Sequence, residues 1–99
     1  MTETWESIAS WCQDTFGPAT PLRMAARTNE EMAELIDKAT FTADYNDSVL
    51  MEAADVVICL ARFPGIWDAV ERKMQVNRAR QWRLTGEGTG YHVQEPTNG

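Results

Sequence analysis

The chain has 99 residues, 43% of them hydrophobic, and a formal net charge of −6. This length suits a single domain, and the apolar content excludes a disordered chain. The acidic balance argues against general nucleic-acid binding, and no apolar run is long enough to span a membrane. Because no signal-peptide pattern is present either, we expect a cytoplasmic protein.

The first predicted helix is an amphipathic segment from Thr4 to Phe16, ended by Gly17-Pro18. Alternating β-branched runs and Asn-Gly hairpin signals are missing from the chain, so we expect an all-α fold. Trp5 and Trp11 suit core or subunit packing, and the alternative is that one of them stacks on a nucleobase.

The second predicted helix begins at Thr20-Pro21, an N-cap followed by proline, and runs to about Ala39. Its apolar stripe has helical spacing and consists of Met32, Leu35, Ile36 and Ala39. Glu31 and Glu34 flank this stripe, so we expect both carboxylates to border the core.

The third predicted helix covers Val49 to Ala61, with Asp47 or Ser48 as its N-cap and a stop before Pro64-Gly65. Apolar residues point in nearly every direction around it, which is typical of a helix buried on most sides. Its only charged residues, Glu52 and Asp55, lie on one side and would be carried inward. They would then meet either arginines in salt bridges or a bridging cation.

Antiparallel packing of the second and third helices would bring two carboxylate pairs to one place. Clustered carboxylates repel one another unless a hard, oxygen-seeking cation neutralises them. The pattern therefore predicts a magnesium or manganese site, and its candidate ligands are Glu31, Glu34, Glu52 and Asp55.

The fourth predicted helix runs from Ile66 to Trp82, in the basic part of the chain. Lys73, Asn77 and Arg80 line up on one face. This row is either an ordinary solvated face or, opposite an acidic metal site, a binding surface for phosphate groups. We expect residues 1–85 to form the helical domain and residues 86–99 an irregular glycine-rich tail, whose Tyr91 and His92 could cover a nucleotide or a subunit seam.

Two acidic motifs recur in order along the chain. Glu30-Glu31-x-x-Glu34 is followed, after seventeen residues, by Glu52-x-x-Asp55. Together with the later segment from Lys73 to Trp82, this order resembles the MazG-like all-α nucleoside triphosphate pyrophosphohydrolases. The resemblance implies a four-helix bundle completed by oligomerisation, as a homodimer or homotetramer.

The resemblance also implies an activity, the hydrolysis of a nucleoside triphosphate to monophosphate and pyrophosphate with Mg²⁺ or Mn²⁺, using more than one ion per site. The doubled glutamate suggests that Glu30 orients or deprotonates the attacking water. Lys73, Asn77 and Arg80 would bind the substrate phosphates. The short length and the N-R-A-R-x-W ending look similar to phage-type relatives that act on dATP or dGTP, which favours a purine deoxynucleotide and a bacterial or phage-infected host cytoplasm.

Two other classes of protein compete with this interpretation. A ferritin-like iron protein needs helical Glu-x-x-His motifs, and the only histidine, His92, lies outside any predicted helix. A non-catalytic helical oligomerisation or interaction module would require Glu52 and Asp55 to be exposed surface charges. Manganese binding would separate this module from the enzyme.

Overall fold

The computed structural model describes residues 2–94, which form four helices followed by a two-stranded sheet. The elements are α1 (Trp5–Phe16), α2 (Pro21–Thr40), α3 (Asp47–Leu60), α4 (Ile66–Ala79), β1 (Trp82–Leu84) and β2 (Gly90–His92). The predominance of helix confirms the predicted all-α character. No helix within residues 2–94 is both long and apolar enough to cross a membrane.

The helix starts follow from local hydrogen-bond chemistry. Thr20 caps α2 just before Pro21, as predicted, and Thr4 caps α1 by accepting from the Ser7 amide. The cap of α3 is Asn46 rather than the predicted Asp47 or Ser48. Asn46 has extended backbone angles, and its side-chain oxygen accepts from the amide of residue 49 at 3.0 Å, so the helix starts at Asp47, two residues before the predicted Val49.

The main packing in the first part of the chain is between α2 and α3. They run in opposite directions, because Cys59 near the end of α3 lies against Thr28, whereas Asp55, one turn earlier, lies near Glu31. The small apolar core consists of Cys12, Met24, Val49, Val56 and Ala61. At the edge of this core, the Arg62 guanidinium donates to the Gly17 carbonyl at 2.5 Å and ties the end of α1 to the end of α3.

The buried face of α2 is not the predicted stripe. Met24 and Glu31 are buried and Thr28 is half-buried on the face turned to α3, whereas Ile36 is 60% exposed and Met32 is exposed. Helix α3 is likewise buried on one side only, and its outward apolar residues are Leu50, Met51, Val57 and Leu60. The prediction of a helix buried on most sides is therefore wrong for the single chain, because one partner helix covers one face.

A second compact unit begins after Ile66. Helix α4 ends at Ala79, three residues before the predicted Trp82, and Trp82–Leu84 pairs antiparallel with Gly90–His92. The connecting loop closes through hydrogen bonds between Thr85 and Thr89, and Gly86 and Gly88 supply its left-handed backbone angles. The expectation of an irregular tail is thus wrong for residues 90–92, and residues 95–99 lie outside the described part.

Candidate metal centre

Three carboxylates from α2 and α3 converge where the two helices pack. Each of Glu31, Glu52 and Asp55 offers one oxygen, and the three oxygens lie within 4.8 Å of one another. Two oxygens on opposite sides of one Mg²⁺ would be about 4.2 Å apart, since each bond is ~2.1 Å. The three side chains therefore stand close to coordination distance, and their all-oxygen donor set suits Mg²⁺, Mn²⁺ or Ca²⁺.

Glu31 is the buried member of this group, with 6% of its surface exposed. One carboxylate oxygen, Oε1, forms an ion pair with Arg27, while the buried Oε2 has no hydrogen-bond partner. A buried carboxylate oxygen without a partner is costly, because it gives up hydration without gaining a protein hydrogen bond. A bound cation would satisfy it, and so would a proton shared with the carboxyl of Glu34.

The electrostatic surroundings of Glu31 oppose its charge. Burial raises the pKa of this carboxyl above its ordinary value, and the carboxylates of Glu34 and Asp55 raise it further. The guanidinium of Arg27 acts in the opposite direction, but it does not cancel the effect of burial. The protein thus holds a carboxylate in a place where additional positive charge would be favourable.

Arg27, one turn before Glu31, bridges two of the acidic residues. Its Nη1 lies 2.9 Å from Oε2 of Glu30, and its Nη2 contacts Glu31. Arg27 is not among the predicted site residues, although its spacing of three and four residues from these glutamates is a helical ion-pair signal. Glu30 itself is exposed and lies outside the close group of three carboxylates.

The other predicted ligands differ in burial. Glu34 is exposed, but its carboxyl lies near enough to Glu31 to raise the pKa of that residue. Glu52 is half-buried and Asp55 is exposed, so the expectation that both α3 carboxylates are carried inward is wrong for Asp55. The reason is that α3 has one covering helix, and Asp55 stands at the margin of the contact.

A thiol borders the carboxylate group. Cys59 follows Asp55 by one helical turn, and burial together with the nearby Glu31 charge raises the pKa of its thiol. Both cysteines are unbridged; Cys12 is buried like a small apolar core residue, and Cys59 is half-buried. The closeness of Cys59 to Glu31 is predictable from the sequence if antiparallel pairing of the two helices is assumed, because Cys59 lies four residues after Asp55.

The predicted phosphate-binding residues belong to the second unit. Lys73 is exposed on α4, Asn77 is half-buried, and Arg80 directly follows the helix. The Asn77 carbonyl accepts a 2.9 Å hydrogen bond from the indole of Trp82, which anchors the start of the hairpin to α4. That Lys73, Asn77 and Arg80 lie close to the carboxylate group stays a prediction.

The aromatic residues singled out in the sequence have local roles in the structure. The His92 ring packs edge-to-face against Trp82 at 6.4 Å between ring centres, across the hairpin pair that the two residues form. Trp11 makes a similar contact with Phe16 at 5.6 Å. Tyr91 is exposed, and a contact of Tyr91 or Trp11 with a nucleotide stays a prediction.

Comparison of the chain with protein-family models, with curated proteins and with solved structures finds no match. The MazG-like resemblance is therefore carried by the two acidic motifs and the later basic helix alone.

Proposed function

We propose that this chain is a metal-dependent nucleoside triphosphate pyrophosphohydrolase of the MazG-like kind. The observation that carries the proposal is the unpartnered, buried Oε2 of Glu31 within a group of three carboxylates from two helices. An ordinary surface cluster would keep its oxygens hydrated, and an ordinary salt-bridge cluster would pair them. The order of the acidic motifs in the sequence supports the same function.

The carboxylates of Glu31, Glu52 and Asp55 would hold a first Mg²⁺ or Mn²⁺, and Glu34 would share in binding a second ion. The chemistry that an ion held by these residues would supply is Lewis acidity toward phosphate oxygens and a more acidic water. Glu30, on the exposed side of α2, would orient that water or accept its proton. Its present pairing with Arg27 must loosen for this role.

The substrate part of the proposal follows the resemblance. A nucleoside triphosphate, with a purine deoxynucleotide such as dGTP or dATP favoured, would be cleaved between the α and β phosphates. Lys73, Asn77 and Arg80 would bind the pyrophosphate as negative charge builds up on it. Five of the nine basic residues lie between residues 72 and 83, which supports an anion-binding role for this segment.

We also propose that the bundle is completed by a second copy or by three further copies of the chain. Helices α2 and α3 leave large apolar side chains exposed on the faces that do not touch each other, among them Ile36 and Met51. Patches of this kind in a folded domain commonly mark subunit contacts. A symmetric dimer or tetramer would pack these faces together, as the resemblance implies.

The deciding experiment combines metal binding with product analysis. Purified protein is incubated with a panel of nucleoside triphosphates and Mn²⁺ or Mg²⁺, and pyrophosphate is measured together with the nucleoside monophosphate. Glu52→Gln should abolish turnover and manganese binding while the helical circular dichroism stays unchanged. Full activity in Glu52→Gln would refute the proposed site.

A non-catalytic helical module is the second candidate, and the exposure of Asp55 and of the apolar faces favours it. The two candidates differ in their response to manganese. A module that only assembles would gain no stability from the ion, whereas the enzyme would be stabilised in proportion to its affinity. Manganese binding without pyrophosphate release from any triphosphate would leave a metal-binding module as the function.

A further inference from the structure

Arg27 pairs with Glu31, the buried member of the carboxylate group. Its guanidinium contacts the carboxylates of Glu30 and Glu31 at once, and within residues 2–94 it is the cation that pairs with the buried Glu31. Its side chain is 48% exposed, so it reaches the buried group from solvent and could swing away without opening the core. Glu31 is therefore paired with a cation that is about half exposed to solvent.

The electrostatics make the two cations competitors. A divalent ion on Glu31, Glu52 and Asp55 would offset two of their three negative charges and so weaken the attraction for Arg27, and its own positive charge would repel the guanidinium. Conversely, while Arg27 holds Oε1 of Glu31, that oxygen is less available as a ligand. Each cation therefore weakens the binding of the other.

We propose that Arg27 is a displaceable counter-cation, which stabilises the carboxylate cluster without metal and is released from Glu31 when a divalent ion binds. This inference rests on the proposed metal site and adds the internal group with which the ion must compete. Arg27 is then a positioning residue, since it acts through Glu31 and Glu30.

Release of Arg27 from Glu31 has a second consequence at Glu30. The remaining pair between Arg27 and Glu30 joins two exposed side chains, 48% and 59% accessible. Exposed ion pairs of this kind hold weakly, because water competes for both partners. Binding of an ion would thereby also loosen the pairing of Glu30 with Arg27, and Glu30 is the residue proposed to act on the water.

The test measures Mn²⁺ affinity calorimetrically, and the melting temperature with and without Mn²⁺, for wild type, Arg27→Gln and Arg27→Lys. Arg27→Gln should bind Mn²⁺ roughly three- to tenfold more tightly, which lies between the effects of exposed and buried ion pairs. Its melting temperature without metal should fall, and saturating Mn²⁺ should restore it to near the wild-type value. Arg27→Lys keeps the charge but loses the two-pronged contact, so it should lie in between.

Arg23→Gln is the matched control. Arg23 lies one turn earlier on the same exposed side of α2, and only its backbone amide takes part in the cap with Thr20. The Arg23→Gln substitution removes the same charge as Arg27→Gln, so a general electrostatic effect on Mn²⁺ affinity would appear equally in both variants.

The outcomes separate this inference from the proposed function. Absence of Mn²⁺ binding in wild type would overturn both. Two results would overturn the displacement alone and leave Arg27 a purely structural partner. One is that wild type and Arg27→Gln bind Mn²⁺ with the same affinity. The other is that Arg27→Gln lowers the melting temperature equally with and without Mn²⁺. Tighter binding that Arg23→Gln does not reproduce supports it.

Discussion

The substitution Glu31→Gln tests the strongest structural observation, a buried carboxylate that burial and neighbouring charge disfavour. Its raised pKa means that the folded protein binds the proton of Glu31 more tightly than the unfolded chain does. Each pKa unit corresponds to about 1.4 kcal/mol of preference for the neutral form. Without metal at neutral pH, the uncharged amide should therefore be tolerated and should raise the melting temperature.

The same substitution should remove the response to metal. For wild type, Mn²⁺ at one hundred times its dissociation constant adds about 2.7 kcal/mol to the free energy of unfolding. For a domain of this size, that gain corresponds to a rise of roughly 10–20 °C in melting temperature. In Glu31→Gln the site loses its buried ligand, and the rise should shrink to a few degrees or vanish.

The assay is thermal unfolding followed by circular dichroism, with and without Mn²⁺, at fixed protein concentration. Glu6→Gln, which changes an exposed glutamate on α1, should behave like wild type with added metal. A Glu31→Gln protein that is less stable without metal, or is stabilised by Mn²⁺ as much as wild type, would refute the reasoning. The first result would show that the ion pair with Arg27 outweighs burial, and the second that Glu31 is not a ligand.

The pH dependence has a definite sign. Because the folded pKa of Glu31 is raised above 4.5, its favourable contribution to stability is complete below that value. It is lost as the pH rises through the folded pKa. Without metal, wild type should therefore lose unfolding free energy relative to Glu31→Gln as the pH rises from 4.5. Saturating Mn²⁺ should reverse this trend. A pH-independent difference would contradict it.

Three further predictions concern the rest of the chain. Lys73→Ala should reduce kcat/KM roughly a hundredfold, as loss of a positioned charge on phosphate does, whereas equal mild losses in an Arg72→Ala control would indicate a diffuse electrostatic role. Asn46→Ala should lower the free energy of unfolding by ~1 kcal/mol in denaturant titrations, because it removes the α3 cap; an unchanged midpoint would show that the cap is dispensable. Ile36→Asp should shift the mass measured by light scattering toward the 11.2 kDa of one chain, and a wild type that already has this mass would exclude the proposed assembly.

Local chemistry determined much of the helical framework from sequence alone. The cap at Thr20 and the stop near Pro64 follow from a hydrogen bond and a backbone restriction within a few residues. The three-residue spacing that aligns Glu52 with Asp55 is likewise a property of one helix. These features could be predicted because they need no partner.

The tertiary structure decided which faces of the helices are covered. Periodicity marks the apolar stripe containing Ile36, but it does not say that α3 packs instead on the face with Met24 and Glu31. The short hairpin after Ala79 was missed for a related reason, since three-residue strands carry little pattern and are held by pairing across a glycine-containing loop. Only the packing of α2 on α3 determines that Glu31 is buried with one unpartnered oxygen while Asp55 stays exposed, because burial is a property of the contact between helices.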